Sequence, residues 1–537
     1  MRGFLLIVIG IALAAGVWFL TARLPVDSPA NVPVTPAANR DTTAENLPDP
    51  FATAQGAGAP PDVVPIWEEW PEPQLALLLT GEQHGYFEPC GCTANQMGGM
   101  ARRADLLRKL TDAGWEVRGV DLGGLVRRSV RQAQIKFETT VQALRDLNYA
   151  AVGLGPEDLR LQPDFLLTQD IGGDDDGTLK FVSANLVFYD APELGMPVPS
   201  QIVEAGGRRL GITCVMSEST RDDVIPEGAN TGITWSEPEQ ALEKVLQTFD
   251  SQQVDFRILL SHSLPDESRA LAEEFPQFDV VVIAQGFSDP DTKAAPEAIA
   301  GTLLLQVGQK GKYAGVLGIY PEDSQTPVRF QLIPLERSEF ADGEEMIVHM
   351  RDYQQRLKDE QVVLADGVAS YPSGASFEGA DKCGECHSKA YEIWKDTPHA
   401  HAFESLDPEH KRNGYERLNG VPRMHDPECL SCHVTGWNPQ EYIRYRSGFL
   451  NDDCAETEAE RCLQALLSGN QCENCHGPGS RHVELIETDG DLELARQEVK
   501  VSLEQSKAIC YRCHDVDNSP NFDFDDYWPD VEHYGLD

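Results

Sequence analysis

Eight of the 13 cysteines fall into four Cys-x-x-Cys-His groups: Cys383-Gly-Glu-Cys386-His387, Cys429-Leu-Ser-Cys432-His433, Cys472-Glu-Asn-Cys475-His476 and Cys510-Tyr-Arg-Cys513-His514. This spacing suits one chemistry above others. Two thiols held a turn apart add across the two vinyl groups of a haem, and the adjacent imidazole becomes the proximal ligand of its iron. Paired cysteines also build zinc sites, but zinc does not require a histidine directly after every second cysteine. The quartet therefore predicts four covalent haem c groups, with His387, His433, His476 and His514 as proximal iron ligands.

The remaining histidines bear on what those irons do. Setting aside the four proximal residues and His84, His262 and His349 upstream, six remain: His399, His401, His410, His425, His482 and His533. Four irons need at most four distal ligands, so some of the six are bystanders. Two imidazoles on an iron make a saturated electron carrier, whereas an open position admits a small molecule and so divides a relay from an oxidoreductase.

The stretches CGECHSKAYEIWKDTPHAHAF (383–403), ECLSCHVTGW (428–437) and NQCENCHGPGSRHVEL (470–485) resemble the tetrahaem cytochrome c-554 family over about 378–537. The resemblance implies stacked haems, single-electron relay, and distal ligation by His399 and His482. The ending SPNFDFDDYWPDVEHYG (519–535) nominates His533, while His401 and His425 compete for the fourth place. It also leaves room for one haem without a protein distal ligand.

The elements that must position these residues are sparse. Past Gly379 strand character fades, helices are short, and Cys, His, Gly and Pro become dense, so residues 378–537 read as a mainly α, haem-packed module. Cys454 and Cys462, in an inserted CAETEAERC, are expected to form a disulfide in an oxidising compartment. Cys90, Cys92 and Cys214 find no partner in the sequence.

Residues 73–338 have a different texture. Apolar runs at 74–82, 115–124, 148–155, 210–216, 256–263 and 278–286 alternate with helical patterns at 101–114, 137–147, 238–249 and 267–275. Buried strands alternating with helices predict a layered α/β fold. Closing strands follow over 302–335, and residues 339–377 supply a polar helix (about 344–364) and a linker. The segment resembles the 5′-nucleotidase-type calcineurin-like metallophosphatases, which implies an α/β sandwich whose strand-end loops hold two metals. The motifs are eroded. T-G-E-Q-H-G (80–85) keeps His84 but puts Glu82 at the first Asp, and G-V-D-L-G-G (119–124) keeps Asp121 but puts Gly124 at the bridging Asp. L-G-P-E-D (154–158) lacks the Asn-His pair, L-L-S-H (259–262) keeps His262, and I-A-Q-G-F-S-D (283–289) lacks both histidines. A retired scaffold or docking module is expected, against a remodelled single-metal site on His84, Asp121 and His262. The turn E-P-C-G-C (88–92) and G-G-M-A-R-R (98–103), opening a helix, survive as scaffold.

Lys and Arg total 44 against 87 Asp and Glu, a formal charge of −43. That balance excludes nucleic acid, whose phosphates need cations, and steers toward basic redox partner proteins. At the N-terminus Met1-Arg2 precedes an apolar run from Phe4 to Leu20, ending in Trp18-Phe19-Leu20 where a cleavage site would need small residues. Residues 1–23 are accordingly expected to be a single-pass anchor rather than a cleaved signal, followed by a Pro/Ala-rich tether over 24–72. The sequence thus predicts a tetrahaem electron relay on the periplasmic side of the inner membrane. A multihaem oxidoreductase of small nitrogen or sulfur species and a metal-dependent phosphohydrolase are the alternatives.

Overall fold

The protein is described from a computed structural model, which covers residues 65–89, 97–169, 179–222, 224–225, 231–284, 289–322, 324–410, 418–488 and 490–533. The described residues all fall in the second of two units of the chain, Ala57–Asp537. The expected anchor and most of the tether, with Cys90 and Cys92, lie outside the described residues. No described helix is long and apolar enough to cross a membrane. That corrects the expected localisation: no described element anchors the protein to the periplasmic side of the inner membrane.

The first part of the second unit is an α/β/β/α stack. Its strands are β1 (Leu75–Thr80), β2 (Val117–Asp121), β3 (Tyr149–Gly153), β4 (Lys180–Val182), β5 (Gln201–Ala205), β6 (Arg208–Met216), β7 (Phe256–His262), β8 (Val280–Ile283), β9 (Glu297–Ile299), β10 (Thr302–Gln306), β11 (Tyr313–Ile319) and β12 (Val328–Pro334). One six-stranded sheet runs β12-β11-β1-β2-β3-β4 and the other β9-β10-β8-β7-β6-β5. In the first, β1 to β4 are parallel and β11 is antiparallel to β1.

Side-chain alternation explains the layering. From β1, Leu75, Leu77 and Leu79 enter the layer between the sheets with Ile212, Ile258, Leu260, Val282 and Leu317. Ala76 and Leu78 face the other way, onto helices α1 (Met100–Asp112), α2 (Arg131–Asp146) and α5 (Glu344–Asp359). The outer face of the second sheet is covered by α3 (Pro238–Ser251) and α4 (Pro265–Glu274), through Leu242, Val245, Phe249 and Leu271. The polar helix expected to link the two parts is thus also a layer of the stack, burying Met346, Met350, Tyr353 and Leu357.

The remainder is a run of short helices around one small apolar cluster that includes Phe377, Phe403, Leu430, Trp437, Phe449 and Leu467. Here the expected Cys454–Cys462 disulfide is not formed, and both thiols are free. Cys454 is buried in that cluster, whereas Cys462 sits exposed on the helix Glu458–Leu467.

Candidate functional site

Each Cys-x-x-Cys-His group lies on or at the end of a helical turn: Ala380–Gly384, Pro427–His433, Cys472–His476 and Leu503–Cys510. Local bonds lock these turns together. The buried Glu473 carboxylate accepts N–H bonds from Glu378 (3.0 Å), Gly379 (2.8 Å) and Gly479 (2.7 Å). The Gln471 side-chain oxygen accepts from Ala380 N at 2.7 Å. The first and third groups are thereby stapled by residues inside the third. Thr435, just past the second group, donates to Gly469 O at 2.9 Å and accepts from Gln471 N at 3.1 Å. The thiols approach across groups too, Cys383 beside Cys472 and Cys432 beside Cys513.

The histidines pair in the same crosswise way. Ring centroids lie 6.2 Å apart for His387 and His482, 5.8 Å for His476 and His533, and 5.9 Å for His514 and His399. An imidazole nitrogen binds a metal at about 2 Å, so two rings on opposite sides of one iron have centroids about 6 Å apart. Nδ1 is engaged in most of these rings. His476 Nδ1 donates to Val499 O (2.8 Å), His482 to Ala495 O (2.8 Å) and His533 to Val531 O (3.0 Å). His514 Nδ1 meets Ser519 Oγ at 3.0 Å, and His433 Nδ1 donates to Ala402 O at 2.7 Å. Holding Nδ1 fixes the ring and leaves Nε2 for a metal. Burial lowers His399 to about 4, below the ordinary imidazole value, which keeps it neutral as a ligand must be. His401 and His425 are placed differently: His401 Nδ1 meets Glu404 at 3.1 Å, and His425 uses Nε2 on Asp453 at 3.0 Å. His410 contacts the same Glu404 at 3.2 Å.

The residues fit haem in a further respect. Beside His476 opens a cleft of about 260 Å³ lined by Tyr371, Cys475, Ile509 and the cations Lys500 and Arg512, an apolar floor with charges suited to propionates.

In the α/β stack the eroded motif loops meet at the strand ends, but their side chains satisfy one another. Asp121 accepts from Thr80 Oγ1 (2.6 Å) and Gly123 N (2.8 Å), and lies 3.7 Å from the guanidinium of Arg103. Arg103, 1% exposed, also donates to Gln83. A side-chain cation therefore stands beside the one carboxylate the motifs retain. Asp158 accepts from the N–H groups of Gly124 (2.7 Å), Leu125 (2.8 Å) and Gly155 (3.0 Å), and burial lifts it to about 7. Gly124 turns there at φ 72°, a left-handed conformation that suits glycine and not the expected Asp. His262 Nε2 donates to Leu122 O at 2.7 Å and burial holds it near 4, below its usual range. His84 is pushed down to about 3 by burial and by nearby Arg127, Lys310 and His262. Among the described residues no group of three His, Cys, Asp or Glu could hold a metal ion.

The helical part is seated on helices α2 and α5 and on loops of the stack. Lys136 pairs with Glu428 at 2.6 Å, and Gln132 and Gln354 donate to Asp426 at 2.6 and 2.7 Å. Arg423 pairs with Glu88, and Lys310 with Asp517, which also meets Lys312 at 3.2 Å and Tyr86 Oη at 3.2 Å. Burial raises the Asp517 carboxyl, but the two lysines outweigh it and hold the group below the usual range. Reasoning from sequence missed Arg103, Asp158, Glu473 and this seam. Only Arg103 left a trace, as part of G-G-M-A-R-R.

A family described as "Cytochrome c554 and c-prime" matches residues 382–477. The helical module is similar to the cytochrome c554 family. Cytochrome c-554 of Nitrosomonas europaea is 34% identical over 113 residues, 20% of this chain and 42% of that protein, so the chain spans less than half of this relative. Among solved structures, a 5′-nucleotidase precursor from Thermus thermophilus is similar at 21% identity, covering 53% of this chain and 59% of that one with a TM-score of 0.46. A calcineurin-like phosphoesterase from Bacillus subtilis covers 54% of this chain and 99% of its own, at 18% identity and a TM-score of 0.43.

Proposed function

We propose that this protein is a tetrahaem electron relay mounted on an α/β scaffold that has lost its metal chemistry. The observation that carries the relay is the set of three crosswise imidazole pairs, His387 with His482, His476 with His533, and His514 with His399, at centroid distances of 5.8–6.2 Å. Each is the spacing of two rings on one iron. When bound, haem supplies a one-electron couple at each attachment. The protein's own part is to fix imidazoles through Nδ1, to attach the ring through paired thiols, and to hold the first three groups in contact through Glu473, Gln471 and Thr435.

His433 is the proximal ligand of the second haem in this reading, with its ring set by Ala402. The scaffold role of the α/β stack is supported by Arg103, which stands beside Asp121 as its cation. Partners are redox proteins with basic faces, matched to the acidic chain.

Intact mass and EPR of the purified protein test the relay together. The expected result is a mass increase of four haems with low-spin signals from the three pairs. His482→Ala should then convert one low-spin haem to high spin. Absence of covalent haem overturns the reading. Metal-dependent phosphatase activity abolished by His262→Ala would overturn the scaffold role.

A further inference from the structure

Two of the charged contacts in the seam between the two parts each lie beside an attachment group. Glu428 immediately precedes Cys429, and Asp517 lies three residues beyond His514. The cations that meet them all belong to the α/β stack. Lys136, on α2, reaches Glu428 at 2.6 Å with its side chain 6% exposed. Lys310 and Lys312, in the turn before β11, converge on Asp517, whose side chain is 12% exposed. Tyr86, from the first eroded motif loop, completes the grip on Asp517 at 3.2 Å.

Charges held this far from solvent are weakly screened. A carboxylate beside a haem favours the ferric form, which carries one more positive charge, and a cation beside that carboxylate cancels the bias. The attachment flanks thus hold acids that would depress the potential, and the α/β stack holds the bases that offset them.

We propose that the α/β stack sets the reduction potentials of the second and fourth haems, through Lys136 at Glu428 and through Lys310 and Lys312 at Asp517. It is a tuning element as well as a mount. The inference rests on the Cys-x-x-Cys-His groups carrying haem. It makes Lys136, Lys310 and Lys312 positioning residues that act through carboxylates rather than on iron.

Potentiometric titration of the full-length protein, followed haem by haem through EPR and absorption, provides the test. In the variant with Lys310→Met and Lys312→Met together, one low-spin component should fall in potential while the others hold. Asp517→Asn in the otherwise unchanged protein should raise that same component. Adding Asp517→Asn to the lysine pair should return it toward its starting value, which a merely structural disturbance would not do. Lys136→Met should lower a different component. Unchanged potentials in all these variants, with four haems still present by mass, would overturn the proposal and leave the relay reading intact. A uniform shift of every component would overturn it as well. Loss of haem from the unsubstituted protein would instead sink the relay reading beneath it.

Discussion

The two halves of this molecule are built on different sources of cohesion. The α/β stack has three apolar layers, and helix α3 alone buries Leu242, Val245, Leu246 and Phe249. In the helical module the segments Ser388–Trp394, Ser480–Glu487 and Leu503–Cys510 bury no residue at all. Leu492, Leu494, Leu503 and Val516 stand exposed there, Val516 at 75%. Helices this short are marginal without a packed face, so something other than side chains must supply that face. A haem is a large apolar plate tied at three points, two thioethers and an iron bond, and it suits that role. The stack folds by burying itself, and in the proposed reading the module folds around haem.

The harshest way to break that contrast is to deny the module one plate. Cys472→Ala with Cys475→Ala removes the third attachment, whose turn also carries the Glu473 staple to the first. We expect the region beyond residue 378 to lose protease resistance while the α/β stack keeps its own, read by limited proteolysis and mass mapping. Equal loss in both halves would show that the stack leans on the haems too. Next in size is a cut into the stack itself. Phe249→Ala empties a fully buried site and should cost about 3–5 kcal/mol, measured by denaturant unfolding with the haem absorption unaltered before the transition.

These two experiments also mark what was legible in the sequence. Attachment groups are legible because covalent chemistry fixes a contiguous spacing. Strand β1 is legible because all six of its residues are buried, whereas three-residue strands such as Lys180–Val182 and Glu297–Ile299 have too few positions to show a period. Helix α2 starts at Arg131, six residues before the apolar pattern that announced it, because Gln132 and Lys136 are buried against the helical module rather than against apolar neighbours. The crosswise pairing of His387 with His482 joins residues 95 positions apart and has no signal in the sequence, where only resemblance to a family nominates His482 as a distal ligand. The pairing of Arg103 with Asp121 was not legible, since a buried ion pair looks in sequence like two surface charges.

A finer test uses pH. The folded state raises the Asp158 carboxyl to about 7, while an unfolded Asp ionises near about 4. The folded form therefore holds a proton that the unfolded form releases between those values. The sign follows: this contribution is fully present below about pH 4 and is lost as pH rises through about 7. Asp158→Asn should remove that slope, and should also lower stability overall because an amide cannot accept all the N–H bonds of the 124–155 loops. A slope that survives the substitution would place the titration elsewhere.

The smallest expected effect probes the join between the halves. Arg128 of the stack donates to the carbonyls of Gln440 and Glu441 and lies 3.9 Å from the centroid of the Tyr442 ring. A half-exposed contact of this kind is worth about 0.5–1 kcal/mol. Arg128→Ala should leave each half's interior untouched and only loosen their coupling, so that the unfolding of the stack and of the module, followed by tryptophan fluorescence and haem absorption, separate slightly in denaturant. Lys cannot present the paired donors or stack flat on the ring, so Arg128→Lys should behave nearly as Ala does. If Lys restored full coupling, charge alone would hold this corner, as it holds Glu428 and Asp517, and the halves would be joined by electrostatics throughout.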